Sequence, residues 1–277
     1  MTGPLPTSSS PPRSSLPHSH FKIHFIDVAY GDAFILQTPE GSNILIDAGK
    51  QVAAPQLLLA LKKLKIQSID MLIITHFHKD HVGGLLPILE RFMPRSEQNF
   101  RKIYIPFELK PSEIEPEIAP IIDYLNQGPT QIVRQGDSLL KTETLQILVL
   151  HPENLSGNQN EDSLVLKITH GKICFLMADV RLKAQKKLYT DYGNDLRCDL
   201  MKIPHHANDT TVFGPFLACA NPKISILTIG KNDYQAPNAK VLARYQQQSE
   251  RLYRSDQDGN ITASSDGMTL HIACGWT

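Results

Sequence analysis

The chain of 277 residues is 41% hydrophobic, and its Lys+Arg and Asp+Glu counts are both 28. It is long and apolar enough to bury a large core, and its balanced charge excludes the basic footprint of a strong nucleic-acid binder. The four cysteines, Cys174, Cys198, Cys219 and Cys274, form no C-x-x-C pair, which excludes a zinc knuckle or redox dithiol and leaves reduced packing residues.

Residues 1 to 20 hold Pro4, Pro6, Pro11, Pro12 and Pro17 among serines, and predict a disordered leader before one domain over 21 to 277. The strict alternation of Phe21-Lys22-Ile23-His24-Phe25-Ile26 predicts a half-buried strand, and residues 34 to 36 and 44 to 46 predict a hairpin around Pro39-Glu40-Gly41-Ser42. Over 55 to 65, Leu57, Leu58, Leu61 and Leu64 share one helical face with lysines elsewhere, the pattern of a helix lying on a sheet. The apolar run at 69 to 74 reads as a buried strand, followed by short strands at 103 to 105 and 131 to 133. A helix is expected over 114 to 125, despite Pro116 and Pro120, and a strand over 145 to 150. The second half repeats the scheme, with strands at 164 to 169, 172 to 177, 200 to 203 and 224 to 229, and helices after Asp179 and over 239 to 247. This mixture is α/β (α+β), and it suits two sheets packed face to face with helices outside.

At the end of the 69 to 74 strand, Thr75-His76-Phe77-His78-Lys79-Asp80-His81 spells H-x-H-x-D-H. Alternate side chains of an extended segment share a face, so His76 and His78 can aim imidazoles at one ion while Asp80 and His81 turn toward a second. Imidazole with carboxylate suits Zn²⁺, and also Mn²⁺ or Fe²⁺. A histidine-rich surface loop is the bland alternative, but three histidines and an aspartate behind a buried strand disfavour it.

The tetrad resembles the metal-binding motif of the metallo-β-lactamase fold superfamily. Phe25-Ile26-Asp27-Val28-Ala29-Tyr30-Gly31-Asp32-Ala33, Ile44-Leu45-Ile46-Asp47-Ala48-Gly49, Asn160-Glu161-Asp162-Ser163, Met177-Ala178-Asp179, Ile203-Pro204-His205-His206 and Tyr253-Arg254-Ser255-Asp256-Gln257-Asp258-Gly259 resemble, in order, the hydrolase domain at the C-terminus of ComEC-type competence proteins. The resemblance covers residues 21 to 273. It implies an αββα four-layer sandwich of the metallo-β-lactamase type, with two divalent ions, Zn²⁺ first among the candidates, at one edge between the halves. The first ion would be held by His76, His78 and Asp179, and the second by Asp80, His81, Asp179 and one of His205 and His206, with His206 favoured. Taken without the resemblance, Asp179 also reads as a helix N-cap.

A third histidine for the first ion has no counterpart. His151 precedes Pro152 at a strand end, while the resemblance puts Asn160 and Ser163 at the site edge, where Ser163 reads equally well as the first residue of a strand. Two departures stand out: Ala207-Asn208 follows the histidine pair where the family usually has Gly-Ser, and Ala236-Pro237-Asn238 replaces a common H-P-H. Asn208, Asp209, Thr210 and Asn238 are therefore candidates for reshaping the pocket. Asp27, Asp32 and Asp47 read as structural carboxylates, Asp47 also being placed to hydrogen-bond a ligand histidine. Asp256-Gln257-Asp258-Gly259-Asn260 lacks the glutamate and helices of a calcium loop and reads as a turn.

No segment approaches the about 18 apolar residues of a membrane span and no signal-peptide core precedes the domain, so a soluble, cytoplasmic protein is expected. The functional expectation is a metal-dependent hydrolase in which Asp80 and His205 assist a metal-activated water. A phosphodiester, small or nucleic-acid, is the substrate class the resemblance implies. A lactonase or thioesterase on the same site, or a binding module that has lost turnover, are the rivals. The oligomeric state is not legible.

Overall fold

A computed structural model describes residues 20 to 93, 102 to 177, 179 to 208 and 212 to 276. The expected leader, save His20, lies outside the described residues, as do Asp209 and Thr210. The first half supplies β1 (Phe21–Phe25), β2 (Phe34–Gln37), β3 (Asn43–Ile46), β4 (Met71–Ile73), β5 (Lys102–Ile105) and β6 (Thr130–Ile132). The second supplies β7 (Ser138–Lys141), β8 (Leu145–His151), β9 (Val165–His170), β10 (Ile173–Met177), β11 (Leu200–Lys202), β12 (Ile224–Leu227) and β13 (Arg251–Arg254), before the hairpin of β14 (Asn260–Ser265) and β15 (Leu270–Trp276). One sheet runs β15-β14-β1-β2-β3-β4-β5-β6 and the other β13-β12-β11-β10-β9-β8-β7.

Alternation along the strands builds three apolar layers. Phe21, Ile23, Phe25, Leu36 and Ile46 of the first sheet meet Ile147, Leu166, Ile168, Phe175 and Leu200 of the second, with Phe21 edge-on to Phe175 at 5.6 Å between ring centres. Outside the first sheet, Ile35, Leu45 and Leu72 pack against helices α1 (Ala54–Lys63), α3 (Leu85–Phe92) and α4 (Ala119–Asn126); α2 (Lys79–Val82) is a single turn leading into α3. Outside the second, Leu176, Met201 and Leu227 pack against α5 (Leu182–Tyr192), α6 (Gly214–Ala220) and α7 (Ala239–Gln248). This is the αββα sandwich. Among the described residues no helix is long and apolar enough to cross a membrane.

Some local expectations change. Helix α4 starts at Ala119 instead of residue 114, because Pro116 interrupts the register and Pro120 fits only the first turn. Strand β1 is buried on both faces rather than half-buried: His24 is covered edge-on by Trp276 and bonded to Thr262 Oγ1 (2.8 Å) and Gln37 Oε1 (3.1 Å). Asn238 does not shape the pocket but caps α7, accepting from Lys240 N and Val241 N. Residues 255 to 258 form one helical turn, with Asp258 accepting from Arg254 N and Asp256 paired to Arg254.

Candidate metal centre

β3 pairs parallel with β4 in one sheet, and β10 with β11 and β11 with β12 in the other, so within each sheet these C-terminal ends lie side by side, and the two sets meet at the centre. Every residue of the centre leaves one of those ends or the β1–β2 loop. The β4 end turns sharply into α2, and close packing fixes that turn: Ala48 N donates to His81 O (2.6 Å) and Gly84 N to Gly49 O (2.9 Å). A Cβ on Gly84 would lie 2.3 Å from Ala48 O, so only glycine permits this approach, which brings Asp47 beside His81.

Asp47, fully buried, accepts from Thr75 N (2.9 Å), the Thr75 hydroxyl (2.6 Å) and His81 Nδ1 (2.7 Å). The Thr75 hydroxyl has spent its proton on Asp47, so toward His76 Nδ1 (3.1 Å) it accepts, leaving His76 Nε2 with its lone pair. That nitrogen faces His78 Nδ1 at 3.0 Å. His206 is oriented the same way: Nδ1 donates to the Thr228 carbonyl (2.8 Å), and Nε2 is buried without a hydrogen-bond partner.

The second carboxylate, Asp179, does not cap α5, whose N-cap position is held by Arg181 with no side-chain cap. It turns inward, and Oδ1 accepts from Lys202 Nζ and His205 N, each at 2.5 Å, while Oδ2 is buried and has no hydrogen-bond partner. His81 Nε2 lies 3.3 Å from Oδ2 and His206 Nε2 4.0 Å from it; Asp80 Oδ2 lies 3.9 Å from His81 Nε2 and 3.7 Å from His206 Nε2. Four ligand-type atoms thus surround one small space, and the His76 ring stands 4.1 Å from the His81 ring and 4.6 Å from the His78 ring, centre to centre.

Charge states suit metal. Burial pushes His76, His78 and His206 below the ordinary imidazole value, keeping them neutral, with neighbouring cations adding to the effect. Burial opposes ionisation of Asp179, yet Lys202 above all, then His206 and His81, hold its carboxyl well below the usual range. Asp80 is likewise held down by His81 and His206 against burial. His81 is the exception: burial disfavours its charge, but Asp47, Asp179 and Asp80 raise it well above the ordinary value. Metal ligands must be deprotonated, so an ion would displace the His81 proton.

Two residues joined the centre that sequence reasoning left out. Asp32 is no loop-amide carboxylate: one oxygen bonds Lys202 Nζ (2.5 Å) and the other accepts from Thr228 Oγ1 (2.6 Å). Asp32, His81, Asp179 and His206 bring ligand atoms within 4.8 Å of one another, although both Asp32 oxygens are already engaged. Lys202, 1% exposed, bridges Asp32 and Asp179. A charged residue in an otherwise apolar strand was the available signal.

A cleft of about 640 Å³ opens over the centre, lined by Tyr30, Lys50, His78, Asp80, Asn160 and His205 among others. Asn208 lines it too and donates to the Tyr30 hydroxyl (3.3 Å). Asn160 Nδ2 lies 3.4 Å from His205 Nε2. Ser163 is buried, its hydroxyl without a partner, beside the Leu164 N to Thr75 O bond (2.9 Å) that ties the halves together. His151 lines a different cleft, where it contacts the Glu161 carbonyl (2.6 Å).

Residues 26–131 match the family model described as the metallo-beta-lactamase superfamily. The ComE operon protein 3 of Bacillus subtilis (strain 168) is 27% identical over 265 residues, covering 88% of this chain and 33% of that protein. The chain is therefore similar to the metallo-β-lactamase superfamily over residues 26–131, and it shares that superfamily's fold. The competence protein ComA of Neisseria gonorrhoeae is 22% identical over 251 residues, covering 89% of this chain and 33% of that protein. The chain thus spans about a third of the length of these curated relatives. The crystal structure of the metallo-beta-lactamase fold protein YhfI from Bacillus subtilis superposes with a TM-score of 0.55 at 12% identity, covering 88% of this chain and 100% of that one. Within the superfamily's architecture, the buried Asp and His cluster at the strand ends is a candidate metal-binding group.

Proposed function

We propose that this protein is a metal-dependent hydrolase that cleaves a phosphodiester with a metal-activated water. The observation that carries the reading is the pair of buried atoms Asp179 Oδ2 and His206 Nε2, 4.0 Å apart and each without a hydrogen-bond partner, with His81 Nε2 3.3 Å from the carboxylate oxygen. A buried polar atom left unsatisfied costs about 1–3 kcal/mol, and a cation removes that cost at both atoms. His76 Nε2, His78 Nδ1 and Asp179 Oδ2 would hold one ion; Asp80 Oδ2, His81 Nε2, Asp179 Oδ2 and His206 Nε2 would hold the other. The set suits Zn²⁺, with Mn²⁺ and Fe²⁺ also compatible with imidazole and carboxylate. When bound, such ions supply a water nucleophile active near neutral pH and positive charge for the reacting oxygen.

The protein's own side chains do the rest. Asp80, 20% exposed and on the cleft wall, accepts a hydrogen bond from the attacking water and orients it. His205, on the cleft wall beside Asn160, stands where a leaving oxygen can take up a proton. Burial, with Asp80 and Asp179 nearby, pushes the Tyr30 phenol up, so it stays a neutral donor toward substrate. Lys50, with its ammonium 5.3 Å over the Tyr30 ring, offers positive charge to a phosphate at the cleft mouth. Parallel assays of the Zn²⁺, Mn²⁺ and Fe²⁺ forms on bis-p-nitrophenyl phosphate and on acyl esters test the reading. Turnover of the phosphodiester that is lost in His78→Ala is expected; turnover of esters alone would refute it in favour of a lactonase or thioesterase.

A further inference from the structure

Among the described residues, Lys202 is the ammonium inside the centre, on a strand whose other residues, Leu200 and Met201, are apolar. Its Nζ lies 2.5 Å from Asp32 Oδ2 and 2.5 Å from Asp179 Oδ1, and the side chain is 1% exposed. Thr228 Oγ1 holds the remaining Asp32 oxygen at 2.6 Å, and His205 N reinforces Asp179 Oδ1 at 2.5 Å. Of the four oxygens on these two carboxylates, three are therefore engaged and one, Asp179 Oδ2, has no hydrogen-bond partner. That one faces His81 Nε2 and His206 Nε2.

We infer that Lys202 is a positioning residue of the metal centre: by anchoring Asp179 Oδ1 to Asp32, it compels Asp179 to present a single oxygen, Oδ2, to both ions. The inference rests on the metal-hydrolase reading and deepens it. A carboxylate free to rotate can chelate one ion with both oxygens, which raises that ion's coordination number and removes the shared ligand that sets the spacing of the pair. Anchoring one oxygen forbids this. Asp32 is then the far end of the anchor rather than a ligand, which accounts for its place in the cluster with both oxygens already engaged. The distances agree: Asp32 lies nearer the Nδ1 atoms, at 3.9 Å from His81 Nδ1 and 3.8 Å from His206 Nδ1, and these nitrogens are bonded to Asp47 and Thr228.

The test is Lys202→Met, together with the double variant Lys202→Met/Asp32→Asn, which removes the buried carboxylate that the single change would strand. Metal content, the visible absorption spectrum of the Co²⁺-loaded protein and turnover are measured on each. The inference predicts that the folded double variant still binds metal, shows a weakened Co²⁺ band as coordination number rises, and loses about 10- to 100-fold in kcat, the usual cost of disturbing a ligand's outer partner. A folded double variant with the wild-type Co²⁺ spectrum and kcat would overturn it and leave Lys202 as charge compensation alone. Wild-type protein that binds no metal would overturn the metal-hydrolase reading, and this inference with it.

Discussion

Replacing Asp47 with Asn probes how the fold aims a ligand without touching the ligand itself. The wild-type carboxylate accepts three hydrogen bonds, from Thr75 N, Thr75 Oγ1 and His81 Nδ1, at 2.9, 2.6 and 2.7 Å. Asparagine keeps the size and one acceptor, enough for Thr75 N, but puts an NH₂ where Oδ2 receives the other two. His81 Nδ1 then loses its acceptor, so the ring is no longer held with Nε2 toward Asp179. Loss of such a partner typically costs 10- to 100-fold in metal affinity, or about 1.4–2.7 kcal/mol. Competition against a chromophoric chelator at neutral pH measures this directly. The proton count follows from the same contact. Asp47 leads the groups that raise His81 above its ordinary 6.5, so metal entering the wild-type protein releases a proton at neutral pH, and Asp47→Asn reduces that release. A raised pKa stabilises the metal-free fold fully below 6.5 and loses that effect as pH rises through the folded value, so the metal-free variant should fall furthest behind wild type on the acid side of 6.5, as long as Asp47, whose carboxyl burial pushes up, stays ionised. Metal affinity within twofold of wild type, in a variant with unchanged thermal stability, would refute the reasoning.

Gly31→Ala should damage the site from outside it: a Cβ there would lie 2.2 Å from Asp80 O at a φ of +144°, so the variant is expected to lose metal affinity as well as thermal stability, measured on the same sample. His205→Gln should keep its metal and lose about 100-fold or more in kcat on a poorly activated phosphodiester, as removal of a proton donor does; metal analysis alongside kinetics separates the two. Leu61→Ala, at a fully buried position of α1, should cost about 2–5 kcal/mol in urea unfolding with the active-site parameters of the folded protein unchanged.

Much of this centre is legible in the chain because its signals are local. H-x-H-x-D-H sets four ligands within six positions after an apolar strand, and strand ends are where side chains escape the core. Asp179 and the His205–His206 pair carry the same signature, and the structure brings all of them to one end of the sandwich. Lys202 and Asp32 were illegible because their meaning is pairwise across a separation of 170 positions, visible only once β11 lies beside the β1–β2 loop. A single Lys in an apolar strand looks like an edge residue until its counter-charges are found. The late start of α4 has a local cause, the prolines Pro116 and Pro120 four positions apart, whereas the burial of His24 depends on Trp276 arriving from the far end of the chain. The substitution of Ala207 for glycine also reads differently in the fold: His205, His206 and Ala207 have φ of 49°, 52° and 55°, a left-handed run that costs about 1–2 kcal/mol per non-glycine residue. Bonds from His205 N to Asp179 and from Asn238 N to Ala207 O hold it in place at the centre.

Titrating metal-free protein with Zn²⁺ while following phosphodiester hydrolysis tests the central claim most directly. The account predicts no turnover without metal and a rise that levels off at about two ions per chain, the stoichiometry of a two-metal centre. Full turnover in metal-free protein, or a chain that takes up no metal, would contradict it.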